Sequence, residues 1–146
     1  MQIPQEIRAF LQPTCIVVTD GRQAKLFLAA DRNVEPLETI KNEHLPLGDE
    51  ERLLKQKPSG IYSTDTQENL KDIAREELYH LLAERLHLML QKKECERFVI
   101  TVPEDHVNEL KESLPVDVLD RVDKFIPKIL TKMSLIDIIA RVQEEE

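Results

Sequence analysis

The sequence predicts an α/β domain built on a five-stranded mixed sheet, in the order 3-2-1-4-5, with helices on both faces. Three observations lead there. The apolar runs "CIVVT" and "AKLFLAA" flank the turn residues Asp20, Gly21, Arg22 and Gln23, the pattern of a tight hairpin. From Thr64 to about Lys93, apolar residues recur at helical spacing, the mark of one long amphipathic helix. Beyond it, "RFVITV" and "DKFIPKIL" alternate with helical stretches. Strand–helix–strand connections are right-handed, which sets both later strands parallel to the first.

The elements follow in order. Ile3, Ile7, Phe10 and Leu11 sit at helical spacing, so residues 1–13 predict a short N-terminal helix stopped by Pro13. "CIVVT" is a β-branched run suited to a central strand buried on both faces. In "VEPLETIKN" the apolar positions are Val34, Leu37 and Ile40, and Pro36, which lacks a ladder donor, puts this strand at an edge. The pattern then stops. Pro46, Gly48, Pro58 and Gly60 punctuate a charged stretch, so residues 41–65 read as a long mobile loop, functional or disordered. Order returns at Thr64, with Gln67 at capping-box spacing, and Leu70, Ala74, Leu78, Leu81, Leu82, Leu86 and Met89 form the expected apolar face. "PEDHVNELKESL" is a second helix with acids in its first turn, as the helix dipole favours. Residues 115–122 cross over to the fifth strand. "SLIDIIARVQ" closes the fold behind a Ser134 cap, and residues 144–146 form an acidic tail. Val17, Leu26, Leu78, Leu82, Val99 and Ile126 are the expected core.

Composition bounds the function. With 146 residues, 41% hydrophobic and 33% charged, the chain is one globular domain, residues 1–146, and its 4% aromatic content makes the core aliphatic. A net charge of −8 argues against a general grip on phosphate backbones but leaves room for a local basic patch. Two cysteines are not a disulfide scaffold. The N-terminus lacks the apolar core of a signal peptide, and no run is long enough to span a bilayer. The expectation is a cytoplasmic protein with reduced thiols and no membrane contact.

Candidate sites are few. Asp20 ends the first strand, where a two-metal nuclease would place a carboxylate, but such a site needs several carboxylates to converge. Glu35 and Glu38 face solvent on strand 3, and Asp123 starts strand 5 at the opposite end of the sheet. Asp20, Gly21, Arg22 and Lys25 are therefore read as hairpin residues. His80, Glu84 and His87 share one helical face with metal-ligand residue types, yet that face lies opposite the leucines and reads as solvated. His44 and His106 show no partners in sequence. Cys15 and Cys95 precede neighbouring strands and read as small core residues, with no adjacent base to activate them. No phosphate loop, dinucleotide fingerprint or nucleophile elbow occurs. The reading therefore assigns no catalytic residue, no metal and no cofactor. Arg52, Lys55 and Lys57 form a basic cluster in the loop, and with Tyr62 and Gln67 they are the candidate partner contacts.

Together, "VVTDGRQAKLF" at 17–27, "DIAREELYHLLAERL", "RFVITVPE" at 97–104 and "IPKILTKMSLIDI" at 126–138 resemble the host attachment protein family. That family groups with the bacterial relatives of the archaeal and eukaryotic release-factor middle domain. The resemblance implies a ribonuclease H-like, release-factor-middle-domain-like fold. Lys25 fills the basic place the family keeps after the alanine of the first hairpin. Glu104 stands where the family often has Arg, and Ile129 where it often has Asp. In the release-factor domain a Gly-Gly-Gln loop precedes the long helix. The comparable stretch here, Lys55 to Leu70, keeps basic residues, Gly60 and Gln67 but no such triplet.

Two functions follow as expectations. One is a non-enzymatic binding or adaptor domain that contacts RNA, the ribosome or a protein through the 41–65 loop, a reading compatible with a homo-oligomer. The other is a hydrolase acting on RNA or peptidyl-tRNA.

Overall fold

The computed structural model describes residues 1–5, 7–41 and 64–144, with residues 64–69 described by their backbone alone. Strands β1 (Phe10–Thr19), β2 (Gln23–Asp31) and β3 (Asn33–Lys41) form an antiparallel meander. Helix α1 (Thr64–Gln91) follows, then β4 (Arg97–Thr101), a 3-10 turn (Glu104–His106), α2 (Val107–Ser113), α3 (Val116–Leu119), β5 (Val122–Ile126) and α4 (Leu135–Glu144). The sheet order is β3-β2-β1-β4-β5, with β4 parallel to β1 and β5 parallel to β4.

Alternation along β1 builds two cores. Cys15 and Val17 face one side, where Leu78, Leu82, Leu86 and Met89 of α1 meet Leu110 of α2 and Val118 of α3. Ile16 and Val18 face the other, where Ile138, Ile139 and Val142 of α4 cover the sheet with Val99 and Ile126. A strand flanked by helices on both faces needs apolar residues at every position, which is why "CIVV" has no polar interruption. The six expected core residues are all buried.

The N-terminal helix is not formed. None of the described residues in 1–13 is helical, and β1 already begins at Phe10. So short a helix is marginal in water, and the sheet offers its backbone better partners. Ile3 N–H donates to Arg32 O and Val34 N–H donates to Met1 O, each at 2.8 Å, laying residues 1–3 against the start of β3. The apolar residues that suggested a helix are used all the same, because Ile3 is buried and Ile7 and Phe10 pack on the α4 side.

Other details sharpen the expected elements. Pro36 lies on an edge strand as expected, beside a register shift that turns Leu37 to solvent. Helix α1 ends in a Schellman arrangement: Lys93 takes φ +59°, its N–H reaches Leu90 O, and Glu94 N–H reaches Met89 O. At the start of α4, Ser134 Oγ accepts Asp137 N–H at 3.4 Å. Leu81, placed on the apolar face from sequence, is instead 44% exposed.

Candidate functional site at the end of the parallel strands

The hairpin turn, the end of β3 and the N-terminal half of α1 meet at one end of the sheet. Lys41 pairs with Gln23 beside the β1–β2 turn, while Arg75 of α1 lies level with Gly21. Thr64 is eleven residues N-terminal to Arg75, so at about 1.5 Å per residue α1 runs roughly 16 Å beyond the turn. The turn itself is built by Asp20. Its Oδ1 accepts Arg22 N–H at 2.8 Å and Gln23 N–H at 3.1 Å, and Thr19 Oγ1 donates to Gln23 O at 2.8 Å. Gly21 takes φ +92°, and a Cβ there would fall 3.0 Å from His106 Cε1. Turn conformation and close packing both demand glycine.

Two networks tie this turn to the rest of the fold. In the first, Thr131 donates its hydroxyl to Asp20 Oδ2 at 3.1 Å, and Lys25 Nζ donates to Thr131 O at 2.7 Å. Asp20 is thus a turn residue that also anchors the connection between β5 and α4. In the second, Tyr79 Oη lies 2.9 Å from His106 Nδ1, and Arg75 Nε donates to Glu109 at 2.7 Å. Burial pushes the Tyr79 phenol up, with the Glu109 carboxylate adding to the effect. Burial holds the His106 imidazole below its ordinary value, helped by the Arg75 charge. Both groups therefore stay neutral near pH 7.

Beside these networks a cleft of about 620 Å³ opens at the ends of β4 and β5, lined by residues including Glu104, Asp105, Lys128, Ile129 and Arg141. The two positions at which the chain departs from its likeness, Glu104 and Ile129, both lie in its wall.

The sequence-predicted residues are placed as follows. Asp20, Gly21 and Lys25 come together at the turn, with Arg22 exposed at its tip. Gln67 lies in α1, where its side chain is not described. Arg52, Lys55, Lys57, Tyr62 and His44 fall outside the described residues, as does most of the 41–65 loop, and so do Glu145 and Glu146 of the acidic tail. Glu35 and Glu38 are exposed, and Asp123 pairs with Arg97 at the far end of the sheet. His80 and Glu84 are exposed on α1, and His87 Nδ1 is 3.0 Å from Asp117 Oδ2. Cys15 and Cys95 are buried free thiols close enough for Cys95 to bear on the ionisation of Cys15. Burial drives the Cys15 thiol well up and the Cys95 thiol to about 11.

Sequence reasoning missed Tyr79, Thr131, Arg75 and Glu109. A signal existed for Tyr79 alone: at about 100° per residue it falls on the stripe of Leu78, Leu82 and Leu86, whereas Leu81 falls well off it. No helix among the described residues is long and apolar enough to cross a membrane.

Comparison with known proteins agrees with this architecture. No curated protein gave a significant match. The family described as bacterial archaeo-eukaryotic release factor family 12 matches residues 13–142, from β1 through most of α4. The chain belongs to bacterial archaeo-eukaryotic release factor family 12.

Proposed function

We propose that this domain is a translation-associated binding module of ribonuclease H-like topology that contacts ribosomal RNA through the segment joining β3 to α1. The observation that carries the reading is where that segment is rooted. It leaves the sheet at Lys41, beside the Asp20 turn, and ends at Thr64, where α1 begins beyond that same end of the sheet. In sequence it carries Arg52, Lys55 and Lys57, cations that steer a phosphate-rich partner. Family membership supports a role connected with translation. The likeness to host attachment proteins adds a name and no mechanism.

The groups around the turn support binding over bond cleavage. Asp20, Thr19, Thr131 and Lys25 spend their hydrogen bonds on the protein itself. Asp20 and Asp123 stand at opposite ends of the sheet, where they cannot share a metal pair.

Co-sedimentation with ribosomal particles tests the proposal. The full chain should travel with them, and a variant lacking residues 47–58 should be released while its melting temperature stays nearly unchanged. Equal co-sedimentation of the two forms would overturn it. So would Mg²⁺-dependent hydrolysis of RNA or peptidyl-tRNA that is abolished by Asp20→Asn or Gln67→Ala.

A further inference from the structure

Tyr79 is fully buried on α1, and its single hydroxyl proton faces two acceptors. On one side stands His106 Nδ1, 2.9 Å from Oη. On the other the phenol faces the Thr19 hydroxyl. Thr19 Oγ1 in turn donates to Gln23 O at 2.8 Å and accepts Gly21 N–H at 3.3 Å. A hydroxyl offers one donor and two acceptor positions, so one acceptor position on Thr19 is left over. A continuous row of polar groups therefore runs from His106 through Tyr79 to the turn at the end of β1.

The charge on His106 decides which acceptor that proton takes. A neutral imidazole leaves one ring nitrogen bare. A bare ring nitrogen accepts more strongly than a hydroxyl, so Tyr79 donates to Nδ1. When the ring takes up a proton from water, both nitrogens carry hydrogen. Nδ1 then donates to Oη, and Tyr79 keeps its own proton and turns it to Thr19. Every group of the row has a partner in either arrangement. Arg75 and Asp72 of α1, Glu109 of α2 and Asp105 of the ring's own turn are the charges that bear on His106. Arg75 is itself joined to Glu109 at 2.7 Å and to Asp72 at 3.1 Å. From the hairpin, the ring meets Gly21, and Asp20 bears on Tyr79. Burial and Arg75 keep the ring neutral near pH 7, so the change of state lies on the acid side of about pH 6.5.

We infer that His106, Tyr79 and Thr19 form a proton-operated switch, in which one proton on the imidazole reverses the direction of bonding and changes how the β1–β2 turn is held. Lys41, where β3 ends, pairs with Gln23 beside that turn, so the signal reaches the root of the segment that follows. The switch is independent of what that segment binds.

The test is nuclear magnetic resonance of the full chain, titrated from about pH 8 to about pH 5. At the alkaline end the His106 ring should show Nε2 protonated and Nδ1 bare. As the ring gains its proton, the Tyr79 Cζ and Gln23 amide resonances should move with the same midpoint as His106. In Tyr79→Phe, His106 should still titrate while the Gln23 amide stops following it. In His106→Gln the Gln23 transition should vanish; one that persists belongs to Asp20 and overturns the switch. Hydrogen already on Nδ1 at the alkaline end overturns it too, as does a Tyr79 Cζ that stays still while His106 titrates. So does a Gln23 amide that follows His106 unchanged in Tyr79→Phe, because the signal would then pass by ring contact at Gly21. The Tyr79 Cζ measurement uses the unaltered chain, so the test stands even where Tyr79→Phe does not fold.

Discussion

Tyr79 Oη stands 2.9 Å from His106 Nδ1, joining the long helix to the turn that follows β4. The rings meet edge to face with centroids 6.1 Å apart, and the His106 ring is also the surface against which Gly21 packs. One imidazole therefore registers the hairpin, α1 and the exit of β4 against each other.

That imidazole should make stability depend on pH. Its folded pKa lies below the ordinary value because of burial and Arg75, opposed by Glu109, Asp105 and Asp72. The unfolded chain then binds the proton more readily, so the contribution is complete above about pH 6.5 and is lost as pH falls through the folded pKa. Urea unfolding should show stability rising with pH up to that value, with a smaller rise in His106→Gln. An identical slope in the variant would remove His106 as the cause.

Gly21→Ala should be costly despite adding one methyl group. The backbone must hold φ +92° and the new Cβ meets His106 at 3.0 Å, so a loss of about 1–3 kcal/mol is expected. Double substitution with His106→Ala should recover the steric part and leave the backbone part. Thermal melts of the three variants separate the two.

Two buried threonines should respond with opposite signs. Thr131 Oγ1 donates to Asp20, so Thr131→Val should cost on the order of 1 kcal/mol. Thr101 is fully buried and its hydroxyl has no partner among the described residues. Thr101→Val keeps the shape and removes that unmet group, so it should be neutral or stabilising. Chemical denaturation of both checks the contrast, and a destabilised Thr101→Val would reveal a partner for its hydroxyl.

The thiols should be inert in the folded protein. Burial raises both pKa values, which lowers the reactive thiolate fraction at pH 8. Native protein should show almost no reaction with a thiol-specific disulfide reagent, and denatured protein should show both cysteines. A disulfide between Cys15 and Cys95 in protein alkylated at lysis would contradict this.

Leu82→Ala should cost about 2–5 kcal/mol, the range for a well-packed leucine, because Leu82 is fully buried between α1 and the sheet. Leu81→Ala, one residue away and 44% exposed, should change stability by less than about 0.5 kcal/mol. Parallel unfolding curves would settle the helix face.

The backbone was legible wherever local chemistry decides. The unbroken apolar run at Cys15–Val18 marks a strand covered on both faces, Asp20-Gly21 marks a turn, and Ser134 marks a helix start. The strand order followed once handedness was applied to those pieces. What remained hidden were partnerships formed only after the sheet assembles. Thr131 meets Asp20 from 111 residues away, and no local pattern announces it. His106 looked isolated because its partner, Tyr79, lies 27 residues earlier on α1, and their meeting depends on how the helix packs on the sheet. The N-terminal segment misled for a related reason: its apolar spacing fits a helix, while the hydrogen bonds that decide its conformation belong to β3.

Those same bonds bear on how the molecule avoids its own kind. β3 is an open border, and open borders invite another chain to extend the sheet. Here Met1 and Ile3 occupy its first residues, Pro36 withholds a donor, the adjoining irregularity bends the ribbon, and Glu35 adds charge. Each device defends a different stretch of one border. Losing the charge or the proline should show itself as association of copies at high concentration.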